Sequence, residues 1–355
     1  MQKVWRTAAI CLLLPITLTG CLFGPEEKTS GAIDPPPPHV ENSHTQEVQA
    51  KPEPKPVVDQ KTEQKKTSGI ELYFLTDHGY VVPYTVQMPN VKTVAKESLK
   101  YMVQGGPGEA LLPKGFVPIL PKGTEIKGLD IQNGTANVDF SKNFLNYEAK
   151  MEEKVLSAVT WTLTGLSSVK KVNIWVDGRP LAVMPKGKNQ AQGLTKSRGI
   201  NVEIAEGVNL TQSIPVTLYF MGQTPDNEVY YVPVTRMINR AENIAQAAMK
   251  ELIRGPLQSS TNLIGALDQS TAVNRVQVKG DTVLADFGEQ LLQYDNQQKT
   301  SKNVLDTIVF SLTENTATKK VKITVNGKEQ ASTAGKKGTF SQPVLRPTSI
   351  NPNGL

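Results

Sequence analysis

The chain has 355 residues, a formal net charge of +6 and only two cysteines. Cys11 falls in an apolar leader that we predict to be removed, which leaves Cys21 as the sole cysteine and excludes disulfides and cysteine-ligated metal sites. A charge this mild, without a basic patch interleaved with aromatic residues, argues against nucleic acid as a partner.

The first twenty residues have the pattern of an export signal. Lys3 and Arg6 form a short positive region, and residues 8–18 form an apolar run. That run has the length of a signal-peptide core and is too short to span a membrane as a helix. We therefore predict that residues 1–20 are a lipoprotein signal peptide.

The segment Leu18-Thr19-Gly20-Cys21 places an apolar residue three positions before a cysteine, with small residues between them. This spacing matches the lipobox of bacterial lipoproteins, in which the thiol receives a diacylglyceryl group and the small residues permit cleavage before the cysteine. Two acyl chains make a stable anchor, whereas one binds only marginally. Cys21 is thus the predicted lipid attachment site, and the lipid bilayer is its predicted partner. The alternative is an ordinary secretory signal with a chance cysteine.

Residues 21–69 are predicted to be a disordered, proline-rich tether. They include a run of four prolines at residues 35–38 and the alternating Lys-Pro-Glu-Pro-Lys-Pro at residues 51–56. The segment has almost no aromatic residues and no apolar period, so it cannot bury enough surface to fold. Proline keeps such a chain extended, which lets the folded part work above the membrane surface.

The remaining sequence is an internal repeat. Five landmarks recur in the same order at a nearly constant separation. They are Leu-Tyr-Phe at 72–74 and 218–220, Val-Pro at 82–83 and 232–233, Gly-Pro at 106–107 and 255–256, Asp-Phe at 139–140 and 286–287, and the turns Asp-Gly at 177–178 and Asn-Gly at 326–327. We predict two copies of one domain, copy 1 at residues 70–190 and copy 2 at 213–333. Residues 191–212 are the predicted linker, and 334–355 a loose C-terminal tail.

Both copies predict the same order of elements, β-β-α-β-β-α-β. Two alternating apolar runs form a strand pair, and an amphipathic helix ends at each Gly-Pro. Asn90 is the expected cap of that helix in copy 1, and a capping box starting at Asn239 is expected in copy 2. A second strand pair turns at Asn133-Gly134 and at Gly280-Asp281, and a second helix and a last strand follow. The predicted fold class is α+β, with two helices on one face of a small mixed sheet.

No catalytic set emerges from the residues. His78 is the only histidine of the folded region and reads as a solvated turn residue, which argues against a Ser-His-Asp triad or a multi-histidine metal centre. Asp139 and Asp286 occupy matched positions and suggest a carboxylate pair, but the favoured interpretation is that each caps the turn into the next segment. We predict no catalytic, cofactor-binding or metal-binding residues.

Two further features could form recognition surfaces. Leu-Pro-Lys-Gly occurs at 112–115 and 120–123, with Met-Pro-Lys-Gly at 184–187, and we favour turns that bracket an edge strand over a basic loop. Tyr73-Phe74 and Tyr219-Phe220 could stack on sugars. Adjacent strand residues point to opposite faces, so at least one of each pair is predicted to be core.

The lipobox, the tether and the duplicated landmarks together resemble the GerM family of sporulation and germination lipoproteins, which carry two tandem GerMN domains. The resemblance covers the whole chain. It implies a fold similar to the ring-building modules of the sporulation transenvelope channel, and it implies no catalytic residues.

The resemblance further implies a non-enzymatic role in endospore formation and later germination, at the membranes between mother cell and forespore. The leading hypothesis is a lipid-anchored scaffold or assembly factor whose partners are other sporulation envelope proteins. The alternative is a peptidoglycan-binding module that assists remodelling of the spore wall or cortex.

Overall fold

The computed structural model describes residues 67–89, 93–260, 262–292, 301–328, 331–332, 338–339 and 342–351. The predicted signal peptide, Cys21 and nearly all of the predicted tether lie outside these residues, so those assignments stay predictions. Within the described ranges, no helix is both long enough and apolar enough to cross a membrane.

The elements follow the predicted order twice. In copy 1 they are β1 Thr67–Thr76, β2 Val81–Pro89, α1 Val94–Tyr101, β3 Phe116–Val117, β4 Ile126–Gln132, β5 Thr135–Phe140, α2 Glu152–Thr164, β6 Lys171–Val176 and β7 Arg179–Pro180. In the connecting segment there is β8 Glu203–Ile204. In copy 2 and after it they are β9 Ser213–Gln223, β10 Val229–Asn239, α3 Ile244–Arg254, β11 Val273–Lys279, β12 Thr282–Phe287, α4 Lys302–Thr316, β13 Lys320–Val325, β14 Ala331–Ser332, β15 Gly338–Thr339 and β16 Val344–Leu345.

Each copy contains a mixed sheet. β4 and β5 are antiparallel and turn at Asn133-Gly134, where both residues have positive φ, as a tight hairpin turn requires. β5 and β6 are parallel, and α2 makes the crossover between them. Copy 2 repeats this arrangement with β11, β12, α4 and β13. The predicted second strand pair and closing strand are therefore confirmed.

The first strand pair of each copy forms a separate hairpin on the other side of the helices. β1 pairs with β2, and β9 pairs with β10, both antiparallel. α2 contacts β1 and β6, and α4 contacts β9 and β13, so each of these helices lies between a hairpin and a mixed sheet. This confirms the α+β class with helices on one face of the sheet. It also explains why α2 is buried on nearly all sides rather than along one stripe.

The predicted helix starts need correction. In copy 2 the helix begins at Ile244, and Asn243 caps it by accepting a hydrogen bond from the Gln246 amide at 2.9 Å. Asn239, the expected cap, is instead the last residue of β10 and is paired with Ser213, so strand pairing overrides the capping signal. α1 begins at Val94 after Thr93, and Asn90 lies outside the described residues.

The repeated Leu-Pro-Lys-Gly segments bracket an edge strand, as predicted. β3 lies between them and pairs antiparallel with the end of β1, where Thr76 is opposite Phe116. Gly115 and Gly123 both have positive φ, which fits their positions in turns.

The two copies form one compact unit with a continuous hydrophobic core. β2 of copy 1 lies against β10 of copy 2. Beside these strands, the rings of Phe116 and Tyr230 meet edge to face with centroids 4.9 Å apart. Neither copy therefore completes its own core without the other.

Candidate functional site at the junction of the two copies

The residues that first suggested chemistry have structural roles. His78 is exposed in the turn between β1 and β2. Asp139 accepts a hydrogen bond from the Gly178 amide at 2.9 Å, and Asp286 accepts one from the Gly327 amide at 2.8 Å. Each aspartate thus caps a turn, as the favoured interpretation expected, but it is the turn after β6 or β13 rather than the turn into the next segment of the chain.

The aromatic pairs are core residues rather than a sugar-stacking surface. Tyr73, Phe74, Tyr219 and Phe220 are all at most 1% exposed. We predict at least one core residue in each pair, and the structure buries both. Both are buried because each hairpin packs against helices on one face and lies close to the other copy of the domain. Among the described residues, no group of three or more His, Cys, Asp or Glu side chains could hold a metal ion.

The junction is instead built around two asparagines, which we call the asparagine clasp: Asn201 and Asn351. Asn201 accepts a hydrogen bond from the Val81 amide at 2.8 Å and donates to the Val81 carbonyl at 2.7 Å. Its amide also donates to the Pro233 carbonyl at 2.7 Å. One side chain therefore bonds to β2 of copy 1 and to β10 of copy 2.

Asn351 makes the same contacts with the two copies exchanged. It accepts from the Tyr231 amide at 2.8 Å and donates to the Tyr231 carbonyl at 2.9 Å. It also donates to the Pro83 carbonyl at 2.8 Å. Both asparagines have φ of 47°, a left-handed conformation that asparagine tolerates better than most residues.

The residue before each asparagine adds a second layer to the junction. The Thr235 amide donates to the Ile200 carbonyl at 2.8 Å, and the Thr85 amide donates to the Ile350 carbonyl at 3.0 Å. Both isoleucines are at most 2% exposed. The segment after copy 1 thus pairs with copy 2, and the segment after copy 2 pairs with copy 1.

This arrangement corrects the expectation of a loose C-terminal tail for residues 350–351, which are buried at the centre of the junction. It also shows that part of the predicted linker belongs to the repeat. The sequence carries a signal for this that we missed. Ile-Asn occurs at 200–201 and at 350–351, and the separation of 150 residues matches that of the repeat landmarks. A two-residue match in polar surroundings is too short to stand out without the structure.

A buried carboxylate joins the same two segments. Glu314, on α4, accepts hydrogen bonds from Lys196 at 2.8 Å and from Arg346 at 3.1 Å. Lys196 lies over the Trp161 ring, and Arg346 lies over the rings of Tyr219 and Phe310. Burial opposes the charged form of Glu314, but the two cations outweigh it and lower the pKa of its carboxyl.

We expect Glu314→Gln to lower the free energy of unfolding by about 2 kcal/mol at pH 7, because hydrogen bonds to a charged group are lost. The pKa of Glu314 is lower in the folded protein than in the unfolded chain, where it is about 4.3. The charged carboxylate therefore stabilises the fold fully above that unfolded pKa, and this stabilisation is lost as the pH falls through the folded pKa. The difference between wild type and variant should therefore shrink as the pH falls below about 4. Urea unfolding at a series of pH values measures this, and a difference that stays constant with pH would contradict it.

Comparisons with known proteins give a consistent result. The model of the family Germane, described as sporulation and spore germination, matches residues 71–182 and 217–331. The spore germination protein GerM of Bacillus subtilis is 36% identical over 356 residues, covering 97% of this chain and 96% of its own length. The solved tandem GerMN domains of that protein superpose with a TM-score of 0.74, at 36% identity, over 81% of this chain and all of the solved chain.

A more distant similarity is confined to one part of the chain. Lipoprotein LpqB of Cutibacterium acnes is 26% identical over 137 residues, which are 38% of this chain and 23% of LpqB.

Proposed function

Because the chain belongs to the Germane family of sporulation and spore germination proteins, we propose that it is a non-enzymatic scaffold for the envelope proteins of sporulating cells. It acts, in this proposal, at the membranes between mother cell and forespore, and it also serves later germination.

The observation that carries the scaffold proposal is the reciprocal junction. Asn201 and Asn351 bond both copies at once, and the buried Glu314 connects the segments that lead to them. The two copies therefore present their surfaces in one fixed relation, which is what a protein needs to hold several partners in a defined geometry. Asp139 and Asp286, the carboxylates considered for catalysis, each accept a hydrogen bond from a turn amide.

Anchoring through a lipid on Cys21 supports the proposed place of action. The lipobox motivates it, and the similarity to a protein named as a lipoprotein agrees with it. We expect Cys21→Ser to abolish incorporation of labelled palmitate and to leave the leader uncleaved. Cys11→Ser is the matched control. Cys11 lies in the predicted leader, so this substitution should leave the labelling unchanged. Continued labelling of Cys21→Ser would exclude Cys21 as the attachment site.

The scaffold proposal is tested by localisation in a strain that lacks the native gene. The full chain, tagged with a fluorescent protein, should concentrate at the engulfing membranes and restore spore yield. The double variant Asn201→Ala/Asn351→Ala keeps both copies and the anchor but removes the asparagine hydrogen bonds that join the copies, and we expect it to lose both properties. Normal spore yield from this double variant would contradict the scaffold role. Deleting a whole copy is a poorer test, because it exposes the shared core.

A co-sedimentation assay distinguishes the alternative of a peptidoglycan-binding module. The scaffold proposal expects the full chain, purified in detergent, to stay in the supernatant with isolated sacculi. Sedimentation that saturates with increasing sacculi would favour the wall-binding function instead.

A further inference from the structure

A cleft opens beside the junction, between the start of α2, the turn of the first hairpin and the connecting segment. Its volume is about 430 Å³, which is within the range of roughly 300–1,000 Å³ typical of small-ligand sites. Lys150, Lys154 and Ser157 line one wall, Gly79 lies at the hairpin turn, and Ser259 lies opposite on the loop after α3.

Copy 2 differs at the matched place because tyrosine replaces valine there. The Tyr231 hydroxyl donates to Asp306 at 2.9 Å and lies 3.1 Å from Asn303 Oδ1, which connects the hairpin with the first turns of α4. In copy 1 the residue at the position of Tyr231 is Val81, which cannot make these bonds. The helix positions that match Asn303 and Asp306 carry Lys154 and Ser157 and face the cleft.

The carboxylates that line the cleft are already neutralised. Glu153 pairs with Arg198 at 2.6 Å, and Glu203 pairs with the fully buried Arg236 at 2.6 Å. Two further contacts border the cleft: Lys150 with Glu148 at 2.9 Å, both mostly exposed, and His78 Nε2 with Asp77 at 3.7 Å.

Lys154 is different from these groups. In the part of the chain that the structure describes, no carboxylate oxygen lies within ion-pair distance of its ammonium group, and the side chain is half-buried. Burial and the neighbouring Lys150 both lower the pKa of Lys154. A Cβ atom on Gly79 would lie 3.2 Å from the Lys154 Nζ, so glycine leaves the ammonium room at the turn. A half-buried cation without a counter-charge favours an anion from outside the chain.

We propose that this cleft binds a phosphate or carboxylate group, with Lys154 as the principal cation, Lys150 as a second cation and the Ser259 hydroxyl as a further donor. The shared chemistry is that of an oxyanion, whether it comes from a soluble molecule or from a lipid headgroup. The site goes beyond the scaffold function, which does not require it.

Titration calorimetry of the full chain, purified in a non-ionic detergent, tests the site. The soluble probes are inorganic phosphate, glycerol 3-phosphate and glucuronate, at low ionic strength. We expect Lys154→Gln to weaken binding about tenfold or more, because a hydrogen bond to a charged group is lost. Lys170→Gln is the matched control, since Lys170 is exposed outside the cleft, and it should leave the affinity unchanged. Equal weakening by both variants would overturn the proposal.

A second variant tests the cleft without removing the lysine. Ser157→Asp introduces the carboxylate that copy 2 has at this position, one turn from Lys154, and should neutralise the ammonium and abolish binding. Vesicles with and without phosphatidylglycerol distinguish the sources of the anion. The site is supported if the wild-type chain binds the soluble probes and both variants lose this binding. It is equally supported if the chain binds only the anionic vesicles and both variants lose that binding. Absence of binding to every probe, or binding that Ser157→Asp leaves intact, would overturn it.

Discussion

Replacing Asn351 by alanine is expected to lower the free energy of unfolding by about 3 kcal/mol or more, although only four residues of the sequence follow it. The change leaves the amide and carbonyl of Tyr231 and the carbonyl of Pro83 without their partner. A buried polar group that loses its partner costs about 1–3 kcal/mol, and Asn351 is only 1% exposed. Equilibrium unfolding in urea measures the loss.

An exposed asparagine elsewhere in the chain, Asn227, provides the control. Asn227 also has a positive φ, of 65°, but lies in the turn between β9 and β10. Asn227→Ala therefore carries only the conformational cost of alanine in a left-handed position, about 1–2 kcal/mol at most. If Asn351→Ala costs no more than Asn227→Ala, the clasp does not stabilise the junction.

Hydrogen exchange locates the effect. Asn351→Ala should raise the exchange rate of the Tyr231 amide, while the Val81 amide, which Asn201 holds, keeps more of its protection. Asn201→Ala should give the reverse pattern. Because both asparagines join the same two strands, the double variant is expected to show a coupling energy rather than simple additivity.

Replacing Arg236 by alanine is expected to cost about 3–5 kcal/mol, because it leaves buried charges without a partner. Arg236 is completely buried. It donates to Glu203 at 2.6 Å, to the Glu251 carboxylate at 3.0 Å and to the Gly255 carbonyl at 2.7 Å, and its guanidinium lies over the Phe220 ring. Alanine removes the cation that pairs with Glu203 and the donor to the Gly255 carbonyl, and it leaves Glu251 paired with Arg254 alone. Urea unfolding of the full chain measures the loss.

Copy 1 provides the matched control for this prediction. It has Val86 where copy 2 has Arg236, and Tyr101 where copy 2 has Glu251. Buried ion pairs can often be replaced by well-packed apolar residues without loss of stability. We therefore expect Arg236→Val/Glu251→Tyr to be more stable than Arg236→Ala. If the double variant is as unstable as Arg236→Ala, the ion pairs of Arg236 stabilise the protein by more than the space that their side chains fill.

Local sequence patterns were sufficient to predict the order of helices and strands in each copy. Asn133-Gly134 predicted a hairpin turn because few other residue pairs adopt two positive φ angles, and the structure has that turn. The hairpin turn depends on two adjacent residues, so it can be predicted from the sequence. Asp139 and Asp286 are predicted to cap the turn into the next segment, but they accept hydrogen bonds from turn amides 39 and 41 residues later in the chain, which no local pattern indicates.

The start of the helix in copy 2 shows where local signals fail. Asn239 has capping-box spacing, but the pairing of β9 with β10 extends through Asn239 and moves the helix start to Ile244. The strand partner of Asn239 is Ser213, more than twenty residues earlier in the chain. A capping-box pattern covers only four adjacent residues, so it cannot detect that pairing.

The sequence by itself determined the lipobox prediction at Cys21, the duplication and the order of elements, because these depend on residue type and spacing along the chain. Only the tertiary structure decided how the copies join. Asn201 and Asn351 are ordinary polar residues of a connecting segment and a chain end until folding places each one between β2 and β10. Their role depends on backbone groups between 32 and 268 residues away, and no local pattern encodes contacts at such distances.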